Sequence, residues 1–459
     1  MKESIFKDKV FWLLLIFASI YILGNIGTGS LSTWDEAIYA NISTNMLNGG
    51  NWVKLHYIND PWFDKPPLYM WATTCFYKIF GRTEFSTRLT SGLFGIAAIM
   101  LVYIFIKMFG AARSAIIAPL LLLATPHFEH FSKAGTMDVA MAFFILLMIY
   151  FFWKGENNHK YLFYSGAVLG LAYLMKGFAA FLGPIIIFLY CIVSGNWRYL
   201  FKKHFIAGIL VGFAIIFGWH LLQYIYIGPQ AIKEYFGLHI FQRAAHGIQE
   251  HTGGLNFYQK AIFNKNKPWS ILMYLSVFYV LWQAIRHKDK KALLLCCWIT
   301  ATYVLYTAVK TKLHWYIMPI YPALALSSAL FVERFFKGMA FRILLAVILI
   351  GMVIQVPISW AFKLDFNPEV KEVSGYARKL HLKGEKVYLY GISYCETFYC
   401  DFAEILSRQS YDRIVNEGIH DAYCVMQPRF LEETSLTYNF DYAPISVSDR
   451  IALYKIKFK

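Results

Sequence analysis

The sequence predicts an all-α polytopic membrane protein with about eleven transmembrane helices, helices in its outer loops and a small C-terminal α/β domain. Of its 459 residues, 58% are hydrophobic and 16% are charged, whereas about 25% are charged in soluble domains. Apolar runs close to or above 18 residues recur along the chain, and about 20 helical residues cross a bilayer core. After about residue 363 these runs stop, and short strand and helix patterns replace them.

The first apolar run, Val10 to Ile26, follows a basic N-terminus and superficially resembles a signal peptide. It is longer than a signal-peptide core, and no small-residue cleavage site follows it cleanly. We therefore predict an uncleaved first transmembrane helix. The apolar runs together predict spans at about 10–27, 89–107, 113–130, 137–153, 161–175, 178–194, 205–227, 268–285, 292–309, 315–332 and 342–361.

Basic residues set the predicted orientation, because lysine and arginine concentrate in short cytoplasmic loops. Every second loop between the runs is basic, and this bias accounts for the formal net charge of +16. A basic soluble face, which nucleic-acid binding needs, is not apparent in the sequence, so we predict no nucleic-acid partner. The loops 28–88 and 228–267 then lie outside the cytoplasm. We predict a transmembrane domain at 1–362 and an α/β domain outside the cytoplasm at 363–459.

Ionisable and aromatic residues collect in the outer segments. Lys310 and Lys312 break the pattern of basic inner loops, and cations on that side indicate an anionic partner, either an acidic side chain or a phosphate. The candidate site residues on this face are Asp35, Glu36, Asp64, Lys65, Asp138, Lys176, His239, Arg243, Lys312 and Tyr316.

Each of these residues also has a purely structural interpretation. Acidic residues such as Asp35 and Asp138 favour the first turn of a helix. Lysines such as Lys176 and Lys312 can extend their ammonium groups to lipid headgroups, and His239 can be an ordinary interfacial histidine. Ionisable groups at a membrane are costly and mark functional sites by default. Their joint placement on one face therefore favours a functional site.

The residue types on this face suit the two ends of a glycosyl transfer from a lipid phosphate. Paired carboxylates can activate a hydroxyl nucleophile, one acting as base and the other positioning the acceptor. Several cations can stabilise the charge that develops on a phosphate leaving group. The chain has no P-loop and no GxGxxG followed by an acid, so a nucleotide site is not indicated.

At these residues the sequence resembles the GT-C glycosyltransferases of the protein mannosyltransferase and aminoarabinose (lipid A) transferase superfamily, glycosyltransferase family 39 type. Thr90 and Met175 depart from the motifs of that family, replacing a proline and a threonine. Six motifs nevertheless follow one another in order. They are Asp35-Glu36, Asp64 to Tyr69, Arg88-Leu89 with Ser91 to Gly95, Gly135 to Asp138, Lys176-Gly177, and Thr311 to Tyr316 with Pro319.

The resemblance implies a GT-C fold and an inverting transfer of a sugar from a polyprenyl-phosphate donor, such as undecaprenyl phosphate. The acceptor would be a lipid such as lipid A, a glycan or a protein on the periplasmic side of a bacterial inner membrane. With a hydroxyl acceptor, a general base is needed. With a phosphate acceptor, no deprotonation is needed and the acid would only position it.

The resemblance also implies roles for the site residues. Asp35, Glu36 and Asp138 would be the catalytic acids, with Asp35 as base or acceptor-positioning group. It implies no required cofactor, although Asp64 and His239 match positions where aminoarabinose-type relatives can bind a divalent metal. The residues that would hold the donor phosphate are Lys65, Lys176, Arg243, Lys312 and Tyr316.

Two other functions remain open from the sequence. A transporter or lipid flippase would place ionisable residues near the bilayer midplane, often in two related halves, and the sequence shows no matching halves. An O-antigen ligase or polymerase would use the same class of donor on the same face but would transfer a whole glycan. Uptake assays and the mass of the product separate these functions from a single-sugar transferase.

Overall fold

Helices make up most of the chain, and a small sheet lies near its C-terminus. The computed structural model describes residues 7–32, 34–58, 60–237, 253–361, 367–391 and 395–459. The helices of the first 361 residues are α1 (Lys9–Leu23), α2 (Asp35–Gly49), α3 (Leu68–Phe80), α4 (Glu84–Met108), α5 (Ile117–Ala124), α6 (Pro126–Lys133), α7 (Asp138–Gly155), α8 (Lys160–Lys176), α9 (Leu182–Val193), α10 (Lys203–Ile227), α11 (Pro229–Phe236), α12 (Phe257–Lys265), α13 (Ser270–His287), α14 (Lys290–Ala308), α15 (Tyr321–Phe335) and α16 (Gly338–Ala361). Short 3₁₀ turns at Ser114–Ile116, Gly177–Phe181, Trp197–Phe201 and His314–Ile320 connect or extend them.

Within the described residues, seven helical segments are long and apolar enough to cross a membrane. All eleven predicted apolar runs fall on helices, which confirms the polytopic helical fold class. The number of eleven crossings remains a prediction. The seven segments are Glu84–Met108, Asp138–Gly155, Lys160–Val193, Lys203–Ile227, Lys290–Ala308, His314–Phe335 and Gly338–Gln355.

The predicted span at 113–130 is not one continuous helix. It breaks between α5 and α6 at Thr125, whose ψ of 108° is extended. The residue before a proline is disfavoured in helical conformation, and Pro126 begins α6. This break places α6 as a separate short helix against α1, α4 and α7.

The outer loops contain helices, as the sequence predicts. The first loop holds α2, a hairpin of β1 (His56–Tyr57) and β2 (Asp60–Pro61), and α3. The second loop holds α11 and α12 on either side of the residues that the structure does not describe.

The C-terminal region is a small α/β domain, which confirms that part of the predicted fold class. Its five-stranded sheet has the order β4-β3-β5-β7-β6. Strand β3 pairs in parallel with β4 and β5, and β7 pairs antiparallel with β5 and β6. Tyr388 packs on one face of the sheet, and Val387 and Leu389 pack on the other, as the two-residue period of a strand requires. The elements are α17 (Pro368–His381), β3 (Val387–Tyr390), α18 (Glu396–Tyr399), β4 (Glu404–Ile405), α19 (Arg408–Asn416), β5 (Asp421–Met426), α20 (Leu431–Thr437), β6 (Phe440–Val447) and β7 (Ala452–Phe458).

This α/β domain packs directly on the first outer loop. Ala37 of α2 belongs to the apolar cluster between the sheet and α17. The backbone N–H of Leu31 donates to the Tyr399 hydroxyl at 2.8 Å, and Arg82 forms an ion pair with Asp401 at 2.7 Å. The packing therefore fixes one side of α2, the helix that begins at Asp35.

Candidate active site

A fully buried ion pair between Glu36 and Arg88 organises the outer ends of four helices. Arg88 Nε donates to Glu36 Oε1 at 2.7 Å, and neither side chain is exposed. The other Arg88 nitrogens donate to the carbonyls of Ile26, Thr28 and Ser30, which follow α1. Glu36 also accepts from the backbone N–H of Gly135, just before α7, at 2.8 Å.

Both carboxylate oxygens of Glu36 thus accept hydrogen bonds from protein groups, which are the Arg88 guanidinium and the backbone N–H groups of Ser32 and Gly135. Burial on its own raises the pKa of this carboxyl, but the Arg88 guanidinium and two backbone N–H groups outweigh burial and hold the pKa below its usual range. The sequence predicts Glu36 as a catalytic acid. In the structure Glu36 ties the start of α2 to Gly135, three residues before Asp138, and its catalytic role stays a prediction.

Asp35 is the first residue of α2 and is only half-buried. It follows Trp34, which has a φ of 70°. A non-glycine residue in this region costs about 1–3 kcal/mol, and such strain clusters at functional sites. Burial raises the pKa of the Asp35 carboxyl, and the charge of Asp138 raises it further, while Lys65 and Lys176 lower it. Asp35 therefore lies within electrostatic reach of the other predicted residues.

Asp138 and Lys176 meet at the ends of two membrane helices. Asp138 begins α7 and Lys176 ends α8. Lys176 Nζ forms a short ion pair with Asp138 Oδ1, and both side chains are largely buried. The same ammonium lies 5.2 Å from the centre of the Tyr316 ring. The structure thus brings together residues from three separate sequence motifs.

Lys65 and Asp64 lie in the loop before α3. Lys65 Nζ contacts Asp64 Oδ1 at 2.8 Å, and both side chains are mostly buried. Their charges reach Asp35, one lowering and the other raising its pKa. The two residues of this loop therefore belong to the same site as Asp35. We call the whole group the central cluster; its members are Asp35, Asp64, Lys65, Asp138, Lys176 and Tyr316.

Lys312 lies close in sequence to Tyr316, but its ammonium points back toward the end of α14. It donates to the carbonyl of Val309 at 2.9 Å, and the side chain is buried. The predicted residues His239 and Arg243 lie outside the described residues. For the predicted metal site, the described residues contain no group of three His, Cys, Asp or Glu side chains able to hold an ion.

Two features of the site were missed by the sequence interpretation. Tyr39, one helical turn after Asp35, is buried, and burial followed by the Asp35 charge raises its pKa. Its i+4 spacing from Asp35 was the available signal. The second feature is a buried network in which His127 contacts the Tyr321 hydroxyl at 2.6 Å and His314 Nδ1 at 2.9 Å.

This histidine network positions the Thr311–Tyr316 motif. His314 belongs to the motif, and His127 lies on α6, 187 residues earlier. Asn266, just after α12, donates to the same Tyr321 hydroxyl at 3.1 Å. The network therefore holds the motif against two outer-face elements. No local pattern could have revealed it, because its members lie in three distant segments of the chain.

Gly177 provides a test of close packing beside the central cluster. Its φ is +63°, and an added Cβ would lie 2.5 Å from the Tyr235 hydroxyl. We expect Gly177→Ala to lower the thermal stability of the purified protein and the transfer rate, because Tyr235 or the Lys176 turn must shift. Gly195→Ala is the matched control, since Gly195 also has a positive φ but has nothing within 4 Å of the added carbon. That control should lose only about 1–2 kcal/mol from the left-handed backbone. Equal losses in the two variants would contradict the packing argument.

The sequence is similar to those of known glycosyltransferases. A sequence profile for the family described as dolichyl-phosphate-mannose-protein mannosyltransferase matches residues 64–221, a range that includes Asp64, Lys65, Asp138 and Lys176. An undecaprenyl phosphate-alpha-4-amino-4-deoxy-L-arabinose arabinosyl transferase of Pseudomonas paraeruginosa is 27% identical over 328 residues, covering 70% of this chain and 59% of that protein. The chain spans about three fifths of the length of the arabinosyl transferases that it matches.

The fold is similar to that of solved glycosyltransferases. The crystal structure of ArnT from Cupriavidus metallidurans, bound to undecaprenyl phosphate, has a TM-score of 0.81 at 20% identity, and 98% of each chain is covered. The oligosaccharyltransferase of Archaeoglobus fulgidus has a TM-score of 0.58 at 12% identity, covering 94% of this chain and 72% of that one. The seven membrane-length helices among the described residues indicate a multi-pass membrane protein. In sequence the chain is therefore similar to these transferases, and it shares the fold of the two solved glycosyltransferases.

Proposed function

We propose that the protein transfers a sugar from a polyprenyl-phosphate donor to an acceptor on the periplasmic side of the membrane, with inversion at the anomeric carbon. The observation that carries this proposal is the central cluster, where two separate carboxylates, Asp35 and Asp138, share one site with Lys65 and Lys176. Carboxylates serve the acceptor and cations serve the phosphate leaving group.

Asp35 is the proposed base. It is half-buried and has no ion-pair partner among the described residues, unlike Asp64 and Asp138, which pair with Lys65 and Lys176. A hydroxyl acceptor would give its proton to Asp35 as its oxygen attacks the anomeric carbon and the bond to the phosphate breaks. With a phosphate acceptor, Asp35 would position the acceptor without taking a proton.

The charge balance of the central cluster supports a further set of phosphate ligands. Asp35, Asp64 and Asp138 carry up to three negative charges, and Lys65 and Lys176 carry two positive ones. A lipid phosphate adds negative charge to this set, so it needs more cations. We propose that Arg243 and Lys312 supply these cations and that Lys312 turns from the Val309 carbonyl toward the phosphate. The neutral Tyr316 hydroxyl would add a hydrogen-bond donor to the phosphate.

The relatives support this donor class. Several are arabinosyl transferases whose names specify an undecaprenyl-phosphate aminoarabinose donor, and the ArnT crystal holds undecaprenyl phosphate. A lipid such as lipid A, a glycan or a protein fits the proposal as acceptor. Reconstituted protein with a polyprenyl-phosphate sugar should yield free polyprenyl phosphate and a glycosylated acceptor, identified by mass spectrometry. Uptake of the donor without any product would favour the transporter instead.

Placement of the ionisable residues also favours an enzyme over a transporter. Asp138 is the first residue of α7 and Lys176 the last of α8, whereas transporter sites lie near the bilayer midplane.

We propose the domain division 1–362 for the catalytic transmembrane part and 363–459 for the periplasmic α/β part. The change from long helices to the five-stranded sheet supports it.

The pH dependence of transfer should report the raised pKa of Asp35. A base works when deprotonated, so the rate should rise as pH rises through this pKa, above the ordinary aspartate value of about 3.9. Asp138→Asn removes a neighbouring negative charge, so its residual activity should reach its plateau at lower pH. Lys65→Met removes a cation and should shift the plateau to higher pH. Normalised pH–rate profiles measure these shifts, and identical midpoints in all three proteins would contradict the assignment.

We propose that transfer requires no bound metal. Asp64, a predicted metal ligand, already accepts from the Lys65 ammonium at 2.8 Å, and a metal ion would have to displace that cation. We expect dialysis against EDTA to leave the transfer rate unchanged. A loss of activity that Zn²⁺ or Mn²⁺ restores, and that Asp64→Asn mimics, would instead support a divalent site made by Asp64 and His239.

A further inference from the structure

A polar cleft lies between α2 and the C-terminal α/β domain, apart from the central cluster. Its volume is about 500 Å³, within the range of about 300–1,000 Å³ typical of small-molecule sites. One wall is the side of α2 that carries Asn41, Thr44, Asn45 and Asn48. These positions are spaced i, i+3, i+4 and i+7, so they share one helix face. The other wall is formed by Thr397, Cys400, Asp401, Ala403, Glu404, Ile405, Ser407, Gln409, Ser410 and Arg413, with Ile58 and Leu389 at its edges.

The charged groups of this cleft are already neutralised by neighbours. Asp401 pairs with Arg82 at 2.7 Å and with Arg378 at 3.1 Å. Glu404 forms a short ion pair with Arg413, which is the one cation among the described lining residues. An anionic headgroup would therefore find no cation to spare, and recognition falls to neutral groups.

Unused amide groups face the cleft. The side chains of Asn48 and Gln409 make no hydrogen bond within the described part of the chain. Asn41 is 6% exposed, and its Oδ1 accepts from the Ile58 N–H at 2.9 Å. Its amide nitrogen, however, has no partner among the described residues. Amides offer both donors and acceptors, which matches the paired donor and acceptor character of sugar hydroxyls.

We propose that this cleft binds uncharged sugar residues of the acceptor, at a distance from the group that is modified. This inference rests on the proposed transferase function and specifies that the acceptor is a molecule that carries a glycan. Asn41 lies about 9 Å along the axis of α2 from Asp35, at about 1.5 Å per residue. It lies on a different face of the helix from Asp35 and Tyr39. The cleft is therefore a second subsite rather than part of the reaction cavity.

A peptide is the less favoured occupant of the cleft. Peptides commonly bind by adding a strand to a sheet edge, and β4 is an edge strand beside the cleft. It is only two residues long, so it offers few backbone hydrogen bonds. Most residues that line the cleft are polar, and its aliphatic members are Ile58, Leu389, Ala403 and Ile405. The cleft therefore offers little apolar surface to peptide side chains.

The direct test is binding of neutral oligosaccharides to the full-length protein in detergent. The probe is the neutral fraction of fluorescently labelled oligosaccharides released by mild acid from the envelope of the source bacterium, and fluorescence polarisation is the readout. Asn48→Trp and Gln409→Trp fill the cleft from exposed positions, so both variants should fold. We expect each to weaken binding by roughly tenfold or more. Asn416→Trp, an exposed change on α19 outside the cleft, should bind as the unmodified protein does.

The same measurements separate this inference from the proposed function. Asp35→Asn should keep oligosaccharide binding while losing transfer. If the protein transfers no sugar but the cleft variants still weaken binding, the transferase proposal fails and the cleft remains a carbohydrate site. If no labelled oligosaccharide binds, if the cleft variants bind as tightly as Asn416→Trp, or if only peptides compete, the inference is overturned, whatever the transfer assay shows.

Discussion

Replacement of Asp35 by asparagine should abolish sugar transfer while leaving the protein folded. The change keeps the shape of the side chain but removes the group that accepts the proton of a hydroxyl acceptor. Loss of a general base typically lowers the rate by about 10²–10⁴-fold. Steady-state transfer by reconstituted protein, with donor binding measured separately, provides the readout. The loss should lie in kcat, with little change in affinity for the donor.

The stability of this variant distinguishes a catalytic role from a structural one. Burial and the Asp138 charge raise the pKa of Asp35, so its ionised form is less favourable in the folded protein than in the unfolded chain. At neutral pH, which lies above the unfolded pKa, Asp35→Asn removes that cost. Its melting temperature should equal or exceed that of the original protein.

Asp60→Asn is the matched control for the Asp35 substitution. Asp60 is an exposed aspartate in the hairpin of the same outer loop. The same chemical change at this position should alter neither transfer nor stability. Normal transfer by Asp35→Asn would remove the assignment of the base, and with a hydroxyl acceptor it would remove the proposed mechanism as well.

The sequence predicted that Asp138 and Lys176 lie together because each is at the end of an apolar run. Asp64 and Lys65 lie in the middle of the first outer loop and were selected by their motif alone. The end of a run places Asp138 or Lys176 at the membrane edge, and the alternation of basic loops places both on one side. The ion pair between these two residues then follows from the antiparallel packing of α7 and α8. Topology alone therefore carried much of the prediction.

The sequence did not separate Asp35 from Glu36. Consecutive helical residues point about 100° apart, so neighbours in sequence do not share a face. Asp35 lies with the central cluster, whereas Glu36 turns to Arg88, which lies 52 residues later. The partner of a buried charge depends on tertiary packing, and no local pattern in the sequence encodes it. The contact between His127 and Tyr321, 194 residues apart, escaped for the same reason.

Removal of either partner of the Glu36–Arg88 pair should destabilise the protein strongly. Breaking a fully buried ion pair by removing one partner typically costs about 3–5 kcal/mol, because the remaining charge is left uncompensated. We expect this loss for Arg88→Met and for Glu36→Gln. Thermal and denaturant unfolding of the purified protein measure it. Both variants should also lose transfer, because the starts of α2 and α7 are no longer held together.

Two controls define what the pair contributes. Lys459→Met removes one partner of an exposed ion pair with Asp441, 2.8 Å long, and should cost less than about 1 kcal/mol. The double variant Glu36→Gln/Arg88→Met leaves no unpaired charge, so its loss of stability should be smaller than the sum of the single losses. The difference is the coupling energy of the pair. The carbonyls of Ile26, Thr28 and Ser30 still lose their donor, so recovery should be incomplete.

The combined result decides the role of Glu36. If Glu36→Gln loses stability and transfer together, and the double variant regains part of both, Glu36 acts through Arg88 and Gly135 on the geometry of Asp35 and Asp138. A stable but inactive Glu36→Gln protein, with no recovery in the double variant, would instead assign Glu36 to the chemical step. The backbone N–H of Gly135 and the Arg88 guanidinium already occupy its carboxylate oxygens. For this reason we expect the first outcome.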